Sequence, residues 1–334
     1  MWRWSVARNP STRLMLSFYS SWAEQVRRGY RSGFEASDSL EEPIVFCGMG
    51  GSGIVGSFVS RSLESLGVES LSVIHHMIPS WLRRGSLIAI SYSGDTVETL
   101  NCVYEALDRG LRVILVSSGG LMREMASSRG IRHVQLTPGG KPRAMLAEMV
   151  GAVVGVVSRG LGVSLVDVEG LSKTLKGVTL ERAKPYYSLA LSSQVLVVSS
   201  CEEYSPLVNR WKSEFSENAK MIVKGEVYPE SGHNDIVAWQ ADHKVRVGFI
   251  VIAPRRGECR GLLSPLVDVY SRVGRLEILE LGAENLLSSY LEGSLVAGYA
   301  SVIAAELRGV DPASTDIISE YKSRIAGIIL RKDD

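Results

Sequence analysis

The sequence has few cysteines, four in 334 residues, and they stand far apart with no CxxC pair. Cysteines at short spacing mark structural zinc sites and the disulfide frameworks of small secreted domains. The spacing of Cys47, Cys102, Cys201 and Cys259 therefore predicts neither kind of site and favours a cytoplasmic protein. Histidine is also scarce, with five residues and no metal-ligand spacing, so we expect no metal site.

An excess of charge of either sign is missing too, since 37 basic residues stand against 36 acidic ones. A chain with so little net charge lacks the long-range field that draws proteins to nucleic acid or to anionic membrane surfaces. We therefore expect no nucleic acid and no membrane as a partner. Any anion that the protein binds must be held by local groups.

No apolar run in the sequence approaches the ~18 residues that a membrane span needs. Its first residues also lack the apolar segment of a signal peptide, so we do not expect export. Arg3, Arg8 and Arg13 precede the first acidic residue, Glu24, as in organelle transit peptides. The interpretation that we favour is an N-terminal helix packed on the first domain.

What the sequence does have is material for a large core, with 45% hydrophobic and 22% charged residues, and a length that suggests two domains. Short apolar runs alternate with Gly/Ser-rich turns and with segments of helical spacing. Runs that are apolar on both faces predict a parallel sheet covered by helices on each side. The first series lies at residues 44–47, 71–74, 87–90, 113–116 and 133–136.

A helix is predicted from Ala144 to about Arg159, followed by a linker over residues 164–185. A second series of apolar runs then begins, at residues 195–198, 247–252 and 276–279. The predicted class is α/β, with two doubly wound parallel-sheet domains of flavodoxin-like type in an αβα sandwich arrangement. The predicted domains are residues 1–160 and residues 161–334.

Two loops rich in glycine and hydroxyl groups follow the first and third runs, at residues 48–53 (GMGGSG) and 91–96 (SYSGDT). Backbone N–H groups and hydroxyls at a helix N-terminus are the donors that bind phosphate best. Because the carboxyl ends of parallel strands meet at one edge of a sheet, both loops can contact one anion. We predict that they bind the phosphate of a phosphorylated sugar.

The first loop also fits the dinucleotide fingerprint GxGxxG as Gly48, Gly50 and Gly53. That fingerprint expects an acidic residue about 20 positions further on, where this sequence has two histidines. No Gly-Lys-Ser/Thr follows either, which argues against a P-loop. In the second half, Glu202 and Glu203 stand at the corresponding position and would repel phosphate, so we expect one anion site per chain.

Three further groups could take part in chemistry. Arg143 lies at the N-terminus of a predicted helix, where a cation is unfavourable unless an anion is near; a solvated arginine is the alternative. Glu214 and Glu217 lie three apart on a helix predicted over residues 211–221, as a catalytic pair or as a solvated face. His233 lies in a turn-rich segment, where it could act on substrate or cap a helix.

These segments together resemble the archaeal-type bifunctional phosphoglucose/phosphomannose isomerases, whose two domains have the sugar isomerase (SIS) fold. The likeness runs from about residue 43 to residue 324. It rests on the two loops and on residues 142–144 (PRA), 214–220 (EFSENAK), 232–234 (GHN) and 311–322.

The resemblance implies an enzyme that interconverts glucose 6-phosphate, and mannose 6-phosphate, with fructose 6-phosphate through a cis-enediolate, without a cofactor. By position, Glu217 would be the base, Arg143 would stabilise the enediolate, and His233 and Lys322 would open the sugar ring. The residues that would contact the substrate are Gly50, Gly51, Ser52, Ser91, Ser93, Thr96 and Thr315.

In this family the histidine enters from the partner subunit, which implies a homodimer. Thr315 matches the threonine that leaves space for either hydroxyl configuration at C2 of the sugar. Asp95 stands where relatives commonly have asparagine, and its carboxylate would lie near the phosphate unless it caps a helix. Two alternatives stay open: a sugar-phosphate sensor without catalysis, and an isomerase of another phosphosugar.

Overall fold

The computed structural model describes residues 9–283 and 285–329. The strands are β1 (Ile44–Gly48), β2 (Ser70–Val73), β3 (Ser86–Ile90), β4 (Arg112–Ser117), β5 (Arg132–Gln135), β6 (Val195–Cys201), β7 (Ile222–Tyr228), β8 (Val247–Pro254) and β9 (Arg275–Leu281). The helices are α1 (Pro10–Ser20), α2 (Trp22–Ala36), α3 (Gly51–Glu64), α4 (Val97–Asp108), α5 (Gly120–Arg129), α6 (Leu146–Leu161), α7 (Val168–Gly177), α8 (Lys184–Ser192), α9 (Ser205–Ala219), α10 (Glu258–Val273), α11 (Leu286–Arg308) and α12 (Asp316–Ile329).

The chain divides into two compact units, each with one parallel sheet. The five-stranded unit consists of Ser21–Lys173 and the chain from Thr315 onward. The four-stranded unit consists of the chain up to Ser20 and Thr174–Ser314. The division into units differs from the sequence-based division at residue 160. The N-terminal segment belongs to the four-stranded unit, and the segment from Thr315 onward belongs to the five-stranded unit. Arg3 and Arg8, on which the transit-peptide alternative depends, lie outside the described residues.

The five-stranded sheet has the order β2-β1-β3-β4-β5, with every strand parallel to its neighbours. All residues of β1 and β3 are buried, as their continuous apolar runs predict for central strands covered by helices on both faces. The order reverses between β1 and β3, and ligands of open parallel sheets bind at such a switch point. The predicted doubly wound α/β class is confirmed.

The four-stranded sheet has the order β7-β6-β8-β9 and is also parallel throughout. Three of its strands contain the apolar runs of the second series, but β7 (Ile222–Tyr228) has no counterpart among the predictions. Its sequence, IVKGEVY, interrupts the apolar pattern with a lysine, a glycine and a glutamate. Glu226 is fully buried within this strand. A search for apolar runs does not find the strand, because one of its buried residues is charged.

Helices α2 and α6 of the five-stranded unit approach each other through glycines. A Cβ atom added at Gly33 would lie 1.9 Å from the carbonyl oxygen of Ala152, and one at Gly29 would lie 2.1 Å from that of Glu148. From the other side, a Cβ atom at Gly151 would lie 2.3 Å from the carbonyl oxygen of Val26. These glycines therefore allow a backbone approach that no larger residue permits.

Residues 164–185, predicted to be a linker, instead contain α7, a 3₁₀ turn at Leu180–Ala183 and the start of α8. That prediction is wrong: Leu171, Ser172 and Leu175 of α7 are buried at helical spacing. The helix has only ten residues, and irregular chain on either side of it interrupts the pattern. The predicted N-terminal helix is present as α1 and α2. Only α2 belongs to the five-stranded unit, whereas α1 packs against α11 in the four-stranded unit.

Cys201 and Cys259 form a disulfide, with 5.7 Å between their Cα atoms. Cys201 ends β6 and Cys259 lies in the first turn of α10, which follows β8. Because β6 and β8 are neighbours in the sheet, their carboxyl ends bring the two cysteines together. The expectation of no disulfide is wrong, since a separation of 58 residues gives no local signal of a contact made by strand pairing. Cys47 and Cys102 are free and buried.

Two helical segments, Pro142–Leu161 and Leu286–Arg308, are long and apolar enough to cross a membrane by length and composition alone. Charged residues interrupt both segments, among them Glu148 and Glu292, so neither is a continuous apolar run of ~18 residues. Their most apolar windows are 78% and 94% buried inside the protein, as in the core helices of globular proteins. Length and apolar composition are therefore weak evidence for a membrane span here.

Candidate active site

The first glycine-rich loop joins the buried strand β1 to helix α3. Gly50 precedes the helix with a φ of 54°, in the left-handed region that favours glycine. Ser52 lies in the first turn of α3 and is 4% exposed; its Oγ accepts a hydrogen bond from the backbone N–H of Tyr92 at 3.1 Å. The first loop is thus bonded directly to the second.

The second loop joins β3 to α4 and carries the aliphatic hydroxyl groups of two serines and one threonine. Ser91 Oγ donates to Thr96 Oγ1 at 3.0 Å and accepts from the N–H of Gly94 at 3.1 Å. Ser93 is exposed, and its Oγ accepts from the N–H of Asp95 at 3.3 Å. Thr96 immediately precedes α4. Because β1 and β3 are adjacent, the structure brings the two loops together at the switch point of the sheet.

The carboxylate of Asp95 caps a neighbouring helix. Its Oδ1 accepts a hydrogen bond from the N–H of Leu121 at 2.8 Å, in the first turn of α5. This contact satisfies one of the donors that the N-terminus of a helix leaves unpaired. Of the two positions that the sequence allows for Asp95, the structure therefore has the capping one.

Arg143 lies in a 3₁₀ turn, Pro142–Met145, that leads into α6, and its side chain is 2% exposed. The turn runs beside the first loop, because a Cβ atom at Gly51 would lie 3.2 Å from the backbone N of Arg143. Lys322, on α12, lines a cavity of about 140 Å³ together with Ser93 and Thr96 of the second loop. Both basic residues thus lie next to the loops within the five-stranded unit.

Thr315 also belongs to the five-stranded unit, where it immediately precedes α12 and its carbonyl accepts the N–H of Ile318 at 3.0 Å. The remaining predicted residues, Glu217 and His233, belong to the four-stranded unit. Glu217 is half-buried in the last turn of α9, just before β7 begins. His233 is exposed and follows the end of β7.

Glu217 and His233 are therefore at opposite ends of strand β7. That strand has seven residues, which at the rise of a β-strand span about 20 Å. The segment of His233 is held by Ser231, whose Oγ accepts from the N–H of Val227 at 2.9 Å and donates to Asp235 at 3.0 Å. One copy of the chain thus does not bring its own Glu217 and His233 together.

Glu214 is a core residue, whereas Glu217 on the same helix is only half-buried. Its side chain is fully buried, ion-pairs with Arg210, and accepts hydrogen bonds from Tyr19 Oη at 2.6 Å and Asn218 Nδ2 at 2.7 Å. These contacts join α9 to α1 and fix the helix from within. Neither sequence alternative, a catalytic pair or a solvated face, describes Glu214.

Lys220, directly after α9, was missed by the sequence reasoning. Its Nζ donates to three backbone carbonyls: Glu217 at 2.6 Å, Asp311 at 2.8 Å and Ser314 at 2.8 Å. Its φ is 54°, the left-handed conformation of a helix C-cap, which is unusual for a residue other than glycine. The motif ENAK shows a lysine here but gives no sign of acceptors more than ninety residues away.

In the described part of the chain, no three His, Cys, Asp or Glu side chains are grouped so that they could hold a metal ion. The chemistry available here is that of hydroxyls, backbone N–H groups, a carboxylate, an imidazole and basic side chains.

Comparisons with known proteins found a matching family model, similar sequences and a similar solved structure. A family model described as the bacterial phospho-glucose isomerase C-terminal SIS domain matches residues 185–325. The chain is 33% identical to the bifunctional phosphoglucose/phosphomannose isomerase of Aeropyrum pernix, over 92% of this chain and 96% of that protein. It is 30% identical to the protein of that name from Aquifex aeolicus, over 90% and 97%. The C-terminal domain of glucosamine-fructose-6-phosphate aminotransferase from Francisella tularensis superposes with a TM-score of 0.69 at 13% identity, over 94% of this chain and 100% of that one.

Proposed function

The chain belongs to the family of bifunctional phosphoglucose/phosphomannose isomerases, and from this premise we propose that it interconverts glucose 6-phosphate and mannose 6-phosphate with fructose 6-phosphate. The observation that carries the proposal is the pair of hydrogen-bonded loops at the switch point of the five-stranded sheet. Such a site suits a compact anion, and the small net charge of the chain leaves binding to local groups of this kind.

The phosphate group is bound by the two loops. Helices α3 and α4 begin at these loops, and the dipoles at their N-termini favour the negative charge of the phosphate. Gly50 and Gly51 allow the backbone to approach the phosphate oxygens closely. The hydroxyl groups of Ser52, Ser91, Ser93 and Thr96 line the site. Ser91 gives its one proton to Thr96 Oγ1, which leaves the proton of Thr96 for the phosphate. Their existing hydrogen bonds hold these side chains in place before the substrate arrives.

Catalysis begins when His233 and Lys322 act as acid and base on the ring oxygen and the O1 hydroxyl, which opens the sugar. Glu217 then removes the proton from C2 of the aldose, and the electron pair forms the C1–C2 double bond of a cis-enediolate. The proton of the O2 hydroxyl passes to O1, Glu217 returns its proton to C1, and O2 becomes the carbonyl oxygen of the ketose. Arg143 stabilises the negative charge of the enediolate. Thr315 leaves room for both configurations at C2, which gives the dual specificity.

The active unit is a homodimer in which His233 comes from the partner. The separation of Glu217 and His233 along β7 supports this, because one chain does not bring them together. Helix α12 also carries exposed apolar side chains, with Ile317 78%, Tyr321 63% and Ile328 72% exposed. Exposed apolar residues on one helix favour association with another protein surface. The burial of both long apolar helices inside the protein argues against a membrane location. We propose the cytoplasm, a compartment in which a disulfide such as Cys201–Cys259 is uncommon.

The role of Glu217 is tested by replacing it with glutamine, which keeps the shape of the side chain but cannot accept the proton. We expect Glu217→Gln to lower kcat for glucose 6-phosphate by about 100-fold or more, while inorganic phosphate still inhibits competitively through the loops. Ser216→Ala, an exposed neighbour on α9, is the matched control. Near-normal turnover in the glutamine variant would remove Glu217 as the base.

Assays of glucose 6-phosphate and mannose 6-phosphate side by side separate the alternatives. A sensor without catalysis converts neither ester, and an isomerase of another phosphosugar converts both poorly. Turnover of the glucose ester alone would contradict the role given to Thr315. Comparable turnover of the two esters is the expected result.

A further inference from the structure

Tyr92 lies between Ser91 and Ser93 of the second loop, and its side chain contacts a different segment of the chain, residues 137–140. Its hydroxyl donates to the carbonyl of Thr137 at 2.6 Å and accepts from the N–H of Gly140 at 2.9 Å. The side chain is 5% exposed. Burial raises the pKa of this phenol, so the hydroxyl stays protonated and keeps its donor role. Tyr92 thus fixes residues 137–140 on one side.

Glu148 holds the same segment from a second side. It is 2% exposed, in the first turn of α6. Its Oε1 accepts from the N–H of Thr137 at 3.0 Å and from Thr137 Oγ1 at 2.8 Å. The guanidinium of Arg28 binds the two carboxylate oxygens at 3.0 Å each. A buried carboxylate with four donors, at the positive end of a helix, is a rigid anchor.

Arg143 lies between these anchors and a third one. Three residues before it, the N–H of Gly140 is bound by Tyr92. Directly after it, the carbonyl of Ala144 accepts from Trp22 Nε1 at 2.8 Å. Its own backbone runs beside Gly51 of the first loop. The backbone of Arg143 is therefore fixed on both sides, by groups that all belong to the five-stranded unit.

We propose that Tyr92 and Glu148 are positioning residues for Arg143, so that the loop that binds phosphate also sets the guanidinium that stabilises the enediolate. The inference rests on the proposed function and adds two residues to it. Electrostatic stabilisation of a transition state depends on charges already in place, and a displacement of about 1 Å costs up to 100-fold in rate. Neither Tyr92 nor Glu148 needs to touch the substrate.

The test is Tyr92→Phe, with Tyr104→Phe, an exposed tyrosine on α4, as the matched control. Loss of the hydroxyl leaves the Gly140 N–H and the Thr137 carbonyl without this partner. We expect kcat to fall about 10-fold, while KM and the inhibition constant of inorganic phosphate change by less than about threefold. A rise of the phosphate constant as large as the fall in kcat would overturn the proposal, because Tyr92 would then act on the phosphate loop itself.

A double-mutant comparison shows whether Tyr92 acts through Arg143. We expect Arg143→Gln alone to lower kcat about 100-fold, and the pair Tyr92→Phe with Arg143→Gln to lower it no further. Multiplied losses in the pair would overturn the proposal. If Arg143→Gln alone keeps wild-type turnover, the catalytic role of Arg143 fails, and the positioning role fails with it. A large loss in Arg143→Gln beside normal turnover in Tyr92→Phe defeats the positioning role alone.

Glu148→Gln gives a second variant in case the first folds poorly. The amide keeps the size of the side chain but replaces one acceptor oxygen with a donor, so it cannot bind both Thr137 and Arg28 as before. We expect the same pattern, a lower kcat with an unchanged inhibition constant for inorganic phosphate. An unchanged kcat in a folded Glu148→Gln enzyme would contradict the assignment of Glu148.

Discussion

Lys220 shows how a single side chain can fix the end of a helix. All three protons of its ammonium group are used by the carbonyls of Glu217, Asp311 and Ser314. The positive charge lies at the C-terminus of α9, where the helix dipole is negative. Its left-handed backbone costs about 1–2 kcal/mol, which the hydrogen bonds offset. Helix ends ordinarily fray, but Lys220 holds the turn that carries Glu217.

Replacing Lys220 with methionine keeps the length of the side chain and removes the charge. We expect kcat for glucose 6-phosphate to fall about 10-fold, the equivalent of one lost charged hydrogen bond, because Glu217 loses its fixed position. Lys220→Gly should lose as much activity and yet be about 1 kcal/mol more stable than Lys220→Met in urea unfolding, because glycine tolerates the backbone conformation. Lys212→Met, exposed on the same helix, is the control. Wild-type kcat in Lys220→Met would rule out this anchor.

At the residue scale, the sequence predicts groups that act through local chemistry. The hydroxyls of Ser52, Ser91 and Thr96 lie where glycine-rich turns after buried strands place them. The contacts of Lys220 and Tyr92 could not be predicted from the sequence. Their partners are backbone carbonyl and N–H groups, which nearly every residue has. Such contacts depend on which loops meet, and the sequence holds no pattern for them.

At the scale of elements too, features that depend on local sequence can be predicted, whereas features that depend on tertiary contacts cannot. Strands β1 and β3 are continuous apolar runs, so their burial follows from composition. Strand β7 could not be found in this way, because the buried Glu226 interrupts its apolar pattern. Its carboxylate is bonded to two residues of the same strand, Lys224 Nζ at 2.7 Å and Tyr228 Oη at 3.1 Å. The third partner, Tyr270 of α10, comes from a distant part of the sequence. Burial alone would lower the pKa of Lys224, but its bonds to Glu226 and Asp235 raise it.

The contact of α2 with α6 gives a prediction about glycine. Gly33→Ala should destabilise the protein by about 1–3 kcal/mol, because its Cβ would overlap the backbone of Ala152 and the helices would have to separate. Gly261→Ala, in α10, has open space around the new methyl group and should stabilise by about 0.5–1 kcal/mol through helix propensity. Urea unfolding of both variants measures the difference. Equal effects of the two substitutions would contradict close packing of α2 on α6.

The disulfide between β6 and α10 gives a second prediction. Cys201 and Cys259 are separated by 58 residues, and closing a loop of that length stabilises by about 4 kcal/mol in the chain-entropy model. Cys259→Ser should therefore lower the thermal midpoint clearly. Thiol titration of the unfolded protein without reductant should find only Cys47 and Cys102. Four reactive thiols in that titration would mean that the bond does not form.

At the scale of the whole molecule, the proposed dimer makes two chains depend on each other. A mixture of Glu217→Gln and His233→Ala chains, each inactive alone, should regain activity when the subunits exchange. A dimer with one chain of each kind has one site with both residues intact, so random pairing restores about a quarter of the wild-type activity. Activity is measured after co-refolding or co-expression. A mixture as inactive as its components would show that each site takes His233 from its own chain.

The path of the chain has a consequence for how related genes can be recombined. The chain passes from one unit to the other after Ser20, after Lys173 and again after Ser314. A single crossover between two parental genes, wherever it falls, leaves at least one unit assembled from two parents. Transfer of an entire unit requires breakpoints at all three positions. The segment that matches the family model, residues 185–325, is therefore not a module that evolution or an engineer can exchange by itself.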